Sequence, residues 1–196
     1  MNAYNLYYHE TIIKKLFRDK QIDLNFIKMY DRLLEKFQFY KGQTYSIKNH
    51  IYSVDMMIAY INIFKPKIIN VPVDNLLKNL NKKSWGNTKK GIYYTPNNVI
   101  TNPQKYRKEY KRVMKADLQY PIIIVDNIVI DGLHRLSKAV ITNIDNINVY
   151  RFTKTDMLKF LINSQNDWNY IDNLEIYDII YLFYKKFNVS KFPIFF

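Results

Sequence analysis

Residues 121–140 constrain the fold of this 196-residue chain more than any other stretch. Pro121-Ile122-Ile123-Ile124-Val125 is a run of β-branched residues and reads as a strand. Asp126-Asn127 is a two-residue turn, and Ile128-Val129-Ile130 returns as the partner strand. Asp131-Gly132 then leads into a helix whose apolar face is Leu133, Leu136, Ala139 and Val140. That helix opens with His134-Arg135. Helix N-termini carry free N–H groups and about half a positive charge. Arg135 is locally unfavourable there unless an anion lies between its side chain and those N–H groups. An anionic ligand, phosphate first, is the resulting expectation.

The flanking segments predict an α+β chain. Leu6, Ile12, Ile13, Leu16 and Phe17 fall near helical spacing, as do Leu24, Ile27, Leu33, Leu34 and Phe37. Ile51, Val54, Met57, Ile58, Ile61 and Phe64 predict a third helix, with Ser46 as its candidate cap. The aromatic residues of this region read as core rather than as a stacking platform. Lys65-Pro66-Lys67 breaks the pattern, and Ile68 to Val73 reads as a strand in which Pro72 marks an edge or an end. Asp74 is a candidate cap for a helix from Asn75 to Leu80. Lys82 to Pro103 reads as a long basic surface loop containing Trp85, Tyr93 and Tyr94. A basic helix is expected from Gln104 to Ala116, capped near Asn102 with Pro103 in its first turn. Ile147 to Phe152 predicts a strand, Thr155 a cap for a helix from Asp156 to Ile162, and Leu174 to Phe187 an amphipathic helix. The apolar end, Phe192 to Phe196, is suited to docking. The expected architecture is a small mixed β-sheet with a helical N-terminal extension and C-terminal helices. Its divisions are 1–66 for the extension, 67–155 for the core and 156–196 for C-terminal helices packed on that core. If the third and fourth strands are parallel neighbours, the crossover between them should be right-handed.

Composition narrows the chemistry. No cysteine is present, which excludes disulfides, zinc–thiolate sites and thiol catalysis. Nothing in Met1 to Tyr8 resembles a signal peptide and no apolar run approaches a bilayer span. A cytoplasmic protein without membrane contact, from an AT-rich genome, is expected. His9 and His50 lack metal-ligand spacing, and neither a Walker-type loop nor a Gly-x-Ser-x-Gly elbow occurs. The net charge is +13, and Lys78 to Lys115 supplies +10 of it, with eleven basic residues against the single acid Glu109. Lys105, Lys108, Lys111, Arg112 and Lys115 make this a candidate nucleic-acid surface, or else a solvated face.

Val129-Ile130-Asp131-Gly132-Leu133-His134-Arg135-Leu136-Ser137-Lys138-Ala139 resembles the signature of the ParB/sulfiredoxin-like superfamily, a strand followed by Gly-x-His-Arg or Gly-Glu-Arg-Arg and a helix. Ile69 to Leu77 resembles that family's opening strand and helix, and Tyr120 to Val125 its strand entering the hairpin. The resemblance spans roughly Ile68 to Thr155. It implies a nucleotide, ATP or CTP with Mg²⁺, whose phosphates lie on the loop. Gly132 would let the backbone approach, with its own N–H and those of Leu133 and the residues after it facing the phosphate. His134 would hydrogen-bond a phosphate oxygen and Arg135 would pair with one. Family activities include CTP-dependent DNA clamps, sulfinic acid reduction, free-serine phosphorylation and nuclease activity.

The departures select among these. Leu133 occupies the position of the sulfiredoxin cysteine, so that chemistry is excluded. Partition proteins carry glutamate and arginine where this chain has Leu133 and His134, and no helix-turn-helix is expected from the residues after the core. The serine-kinase string Asp-Gly-His-His-Arg is matched at Asp131, Gly132, His134 and Arg135. Asp131 has two readings, helix N-cap or general base and Mg²⁺ ligand. Glu109 and Asp74 are further acids that the sequence cannot place, with exposed positions expected for both. Three functions compete: a nucleotide-dependent phosphotransferase or nuclease, a non-enzymatic DNA- or RNA-binding module, and an interaction protein that docks a partner through its N-terminal helices.

Overall fold

The computed structural model describes residues 24–37, 43–87, 90–163 and 172–187. The described elements begin with α1 (Leu24–Leu34), β1 (Thr44–Ile47), β2 (His50–Ser53), α2 (Val54–Phe64) and β3 (Ile69–Pro72). A 3-10 helix (Val73–Asn81), β4 (Trp85–Asn87), β5 (Ile92–Tyr94), α3 (Pro96–Thr101) and α4 (Arg107–Lys115) follow. The chain continues through β6 (Ile122–Val125), β7 (Ile128–Asp131), α5 (Leu133–Ile141), β8 (Asn146–Phe152), α6 (Lys154–Lys159), β9 (Leu161–Asn163) and α7 (Ile176–Phe187). The class is mixed α+β, built from small sheets and several helices. No described helix is long and apolar enough to cross a membrane.

Two compact units are present: Met1–Lys65 with Lys159–Phe196, and Pro66–Leu158. In the first, α1 buries Phe26, Met29, Tyr30 and Leu33, one face at helical spacing. Phe26 meets Tyr181 edge-on at 4.8 Å, and Phe37 meets Phe183 at 5.4 Å. Among the described residues, Phe26, Tyr30, Phe37 and Tyr52 are core. The C-terminal helix α7 packs on α1 and α2 and belongs with them to the first unit, whereas the sequence reading grouped it with the 67–155 core. The expected third helix also begins later. Ile51 lies in β2, which pairs antiparallel with β1 and β9. Ser46 lies in β1; the cap is Ser53, whose Oγ accepts from Met56 N at 3.1 Å. The helix expected around Leu6 to Phe17 and the Phe192–Phe196 end lie outside the described residues.

The second unit carries a four-stranded mixed sheet in the order β3-β8-β6-β7. Its strands correspond to those expected. β6 pairs parallel with β8, and β7, the hairpin partner of β6, is an edge. The third and fourth expected strands are thus not neighbours, because β6 lies between them. β3 is the other edge, which accommodates Pro72 without losing a ladder hydrogen bond. Val71, Leu76, Ile122, Ile124, Leu136, Ala139, Ile147 and Val149 form the core under α5 and the 3-10 helix. Buried Asn79 fixes the hairpin to that helix. Its Nδ2 donates to Leu76 O and Asn127 O, and its Oδ1 accepts from Val129 N at 3.0 Å.

Several local expectations are corrected. Residues 75–80 are 3-10 rather than α-helical, and Asp74 is exposed and caps nothing. The long loop is replaced by the β4–β5 hairpin and α3, which Thr95 and Asn98 close with a reciprocal capping box. Gly86 permits this hairpin: its φ is +141°, and a Cβ there would stand 2.0 Å from Ile92 O. The basic helix starts at Arg107, after a turn in which Asn102 Oδ1 accepts from Lys105 N. Thr153, not Thr155, caps α6, accepting from Asp156 N.

Candidate functional site

The Asp131–Arg135 turn joins the β7 edge to α5. Gly132 is the N-cap residue, with φ +103° in the left-handed region. A Cβ on it would stand 2.5 Å from Ile122 Cγ2 and 2.9 Å from Arg135 Nη2. The glycine is therefore required by backbone conformation and by packing on the sheet, before any ligand is considered. The side chain of Leu133 packs on the core of this unit, so only its amide is available to the turn. No side chain caps α5, which leaves the amides of Leu133, His134 and Arg135 without intrahelical acceptors.

Asp131 is the last residue of β7 and not the helix cap. Its Oδ2 accepts from Arg135 Nη2 at 2.6 Å. The guanidinium thus lies folded back over Gly132, and the charge that seemed to demand an external anion is partly balanced by the chain itself. Arg135 remains incompletely satisfied: its Nε is buried with no hydrogen-bond partner. A buried donor left in this way costs about 1–3 kcal/mol.

His134 does not point an open Nε2 at the turn. That atom lies 2.6 Å from Oε1 of Glu109, and the ring stacks on Trp85 at 4.7 Å between centroids and 20° between planes. Glu109 is the residue at this turn that sequence reasoning misplaced, having expected it exposed. It is buried on α4 and also accepts from Tyr94 Oη at 3.3 Å and Arg112 Nη1 at 3.1 Å. Burial, and then the neighbouring Glu109 carboxylate, push the Tyr94 hydroxyl above its ordinary 10.0. Tyr94 in turn packs on Tyr106 at 4.7 Å. The signal available in the sequence was positional: Glu109 and Val113, four residues apart, share the one buried face of an otherwise cationic helix.

The remaining faces of α4 are basic. Lys108, Lys111, Arg112 and Lys115 are exposed on it, and Lys105 is exposed just before it with Nζ 5.5 Å from the Tyr106 ring centre. Ser137 Oγ donates to Leu133 O, and Lys138 Nζ donates to Ala116 O at 2.7 Å, tying α5 to the end of α4. No cluster of three or more His, Cys, Asp or Glu side chains that could hold a metal occurs among the described residues.

The turn therefore unites Asp131, Gly132, His134 and Arg135 with Glu109, Trp85 and Tyr94, and leaves Asp74 apart. Comparison with protein-family models, with curated proteins and with solved structures finds no match for this chain.

Proposed function

We propose that the Asp131–Arg135 turn is the phosphate seat of a nucleotide-binding site on a ParB/sulfiredoxin-like core. The observation that carries this reading is the Arg135 side chain. One edge is anchored by Asp131, Nε is buried without an acceptor, and the guanidinium lies over the glycine of an uncapped helix start. A guanidinium has five N–H donors, so anchoring by Asp131 leaves donors for an oxyanion. The amides of Leu133, His134 and Arg135 supply the second set of donors. The ligand is a nucleoside triphosphate, ATP or CTP. Trp85, Tyr94 and Tyr106 provide flat surfaces at this site on which a base can stack.

Magnesium fits as a companion of the nucleotide. Such an ion needs only one or two protein carboxylates beside the phosphates. Asp131 Oδ2 is bound to Arg135, which leaves Oδ1 as the oxygen to offer. The reaction class is phosphoryl transfer or phosphodiester cleavage. Titration with Mg²⁺ and ATP, CTP or ADP tests the seat: the parent should bind, and Arg135→Ala should lose about tenfold or more, the cost of a charge-assisted hydrogen bond. No binding by the parent, or equal binding by both, removes the reading.

A second reading, a nucleic-acid module, is favoured by the exposed Lys105, Lys108, Lys111, Arg112 and Lys115 flanking the Tyr94–Tyr106 pair. Cations that follow a backbone beside rings that accept bases are the composition of a single-strand binding surface. Retention of a labelled oligonucleotide across a salt series tests it.

A further inference from the structure

We propose that Glu109 and His134 are the general-base pair of this site, with His134 accepting the proton at Nδ1 and Glu109 acting as the positioning residue. The proposal rests on the phosphate-seat reading and adds to it the group that activates the nucleophile.

Nε2 of His134 is engaged by the Glu109 carboxylate at 2.6 Å. A carboxylate accepts only, so Nε2 carries the hydrogen in that contact and the lone pair of the neutral ring is on Nδ1. Nδ1 has no protein hydrogen-bond partner among the described residues and is not buried. Two independent contacts fix the ring, the carboxylate at one edge and the Trp85 face at 20°. Glu109 is itself immobilised: its side chain is 11% exposed and accepts from Tyr94 and Arg112 as well. A carboxylate this buried needs such partners. The arrangement of base and orienting acid is the one that general-base catalysis requires, with the base one residue from the Arg135 donors. Asp131 is the poorer candidate, since one of its oxygens is committed to Arg135 at 2.6 Å.

In the step assigned to this pair, a water or an acceptor hydroxyl gives its proton to His134 Nδ1 as its oxygen bonds to phosphorus. The bond from phosphorus to the bridging oxygen breaks, and that oxygen leaves with the electron pair. With water and a nucleoside triphosphate the products are the diphosphate and inorganic phosphate, and the proton returns from Nδ1 to solvent.

The test uses the full chain with Mg²⁺–ATP and a labelled single-stranded oligodeoxynucleotide as probes. It compares the parent, His134→Ala, His134→Gln, Glu109→Gln and Arg135→Ala, with thermal melts alongside. The parent should turn over one of the probes. Both His134 variants should lose about 100-fold or more in kcat, with KM and nucleotide affinity little changed. Free imidazole should restore part of the rate to His134→Ala, which a purely structural histidine would not allow. Glu109→Gln should lower kcat with KM preserved, and Arg135→Ala should lose binding. A parent that binds nucleotide but turns over neither probe overturns the base pair and leaves the seat standing. So does a folded His134 variant at the parental kcat, or one that imidazole does not rescue. A parent that binds neither probe overturns both readings.

Discussion

The Glu109 carboxylate holds Nε2 of His134 at 2.6 Å across two packed helices, and the same carboxylate accepts the Tyr94 hydroxyl from the β4–β5 hairpin. One buried acid in a strongly basic segment thus connects three elements around the glycine turn. Glu109→Ala would strand the Tyr94 hydroxyl and the His134 ring hydrogen. The expected cost is about 1–3 kcal/mol of stability, with Glu109→Gln losing less because an acceptor oxygen remains. Urea unfolding followed by circular dichroism checks the order; equal stability of all three proteins would contradict it.

Gly132 makes a different prediction from the one its place in a phosphate loop suggests. Its φ of +103° and the 2.5 Å approach of Ile122 to any Cβ mean that Gly132→Val disturbs the fold first. The strained conformation alone costs about 1–3 kcal/mol, and the clash with the sheet adds to it. Thermal melts should show a strongly destabilised or unfolded variant, whereas Arg135→Ala should keep its fold and lose ligand. A Gly132→Val protein that melts like the parent would contradict the packing argument.

Asp55, buried in α2 with Oδ1 unpartnered, gives a pH dependence in the other unit. Burial pushes its carboxyl up from 3.8 to about 6. The folded state therefore binds this proton more tightly than the unfolded chain. The stabilisation it gives is full below 3.8 and is lost as pH rises through about 6. Asp55→Asn removes this dependence, so the variant should outmelt the parent above about pH 6 and converge with it in acid. Parallel melting curves at every pH would contradict the assignment.

The cationic face of α4 separates the two functional readings. Replacing Lys105, Lys108, Lys111 and Lys115 with Gln spares Arg112, which pairs with Glu109. If a strand tracks this face, each phosphate left without its lysine should flatten the logarithmic salt slope by about 0.7 for single-stranded nucleic acid. Nucleotide binding at the turn should persist. An unchanged slope would leave these lysines as a solvated face.

The sheet of the second unit was legible because its strands are short β-branched runs separated by strong turn signals, from Ile122 to Val125 and from Ile128 to Asp131. The β1–β2 hairpin was not, because Thr44–Ile47 has a weak apolar pattern and its turn residue Lys48, at φ +53°, belongs to no favoured turn pair. The β4–β5 hairpin was hidden by polar composition, since its geometry depends on Gly86 and a cross-strand approach that only the folded pair reveals. At the site, local spacing placed Asp131 to Arg135 on one turn. It could not bring Glu109 or Trp85 there, since those contacts span 25 residues in the first case and a non-local ring stack in the second. The cap reading of Asp131 failed because Gly132 stands between the end of the strand and the helix start at Leu133 and takes the N-cap position, while the Asp131 carboxylate meets Arg135 instead.

The phosphate seat is tested most directly by backbone amide chemical shifts of the full chain titrated with Mg²⁺–ATP or Mg²⁺–CTP. The amides of Leu133, His134 and Arg135 should move first and furthest, together with the Arg135 side-chain Nε–H, and Arg135→Ala should abolish the effect. Shifts confined to α4, or no saturable shift at the turn with either nucleotide, would contradict the account.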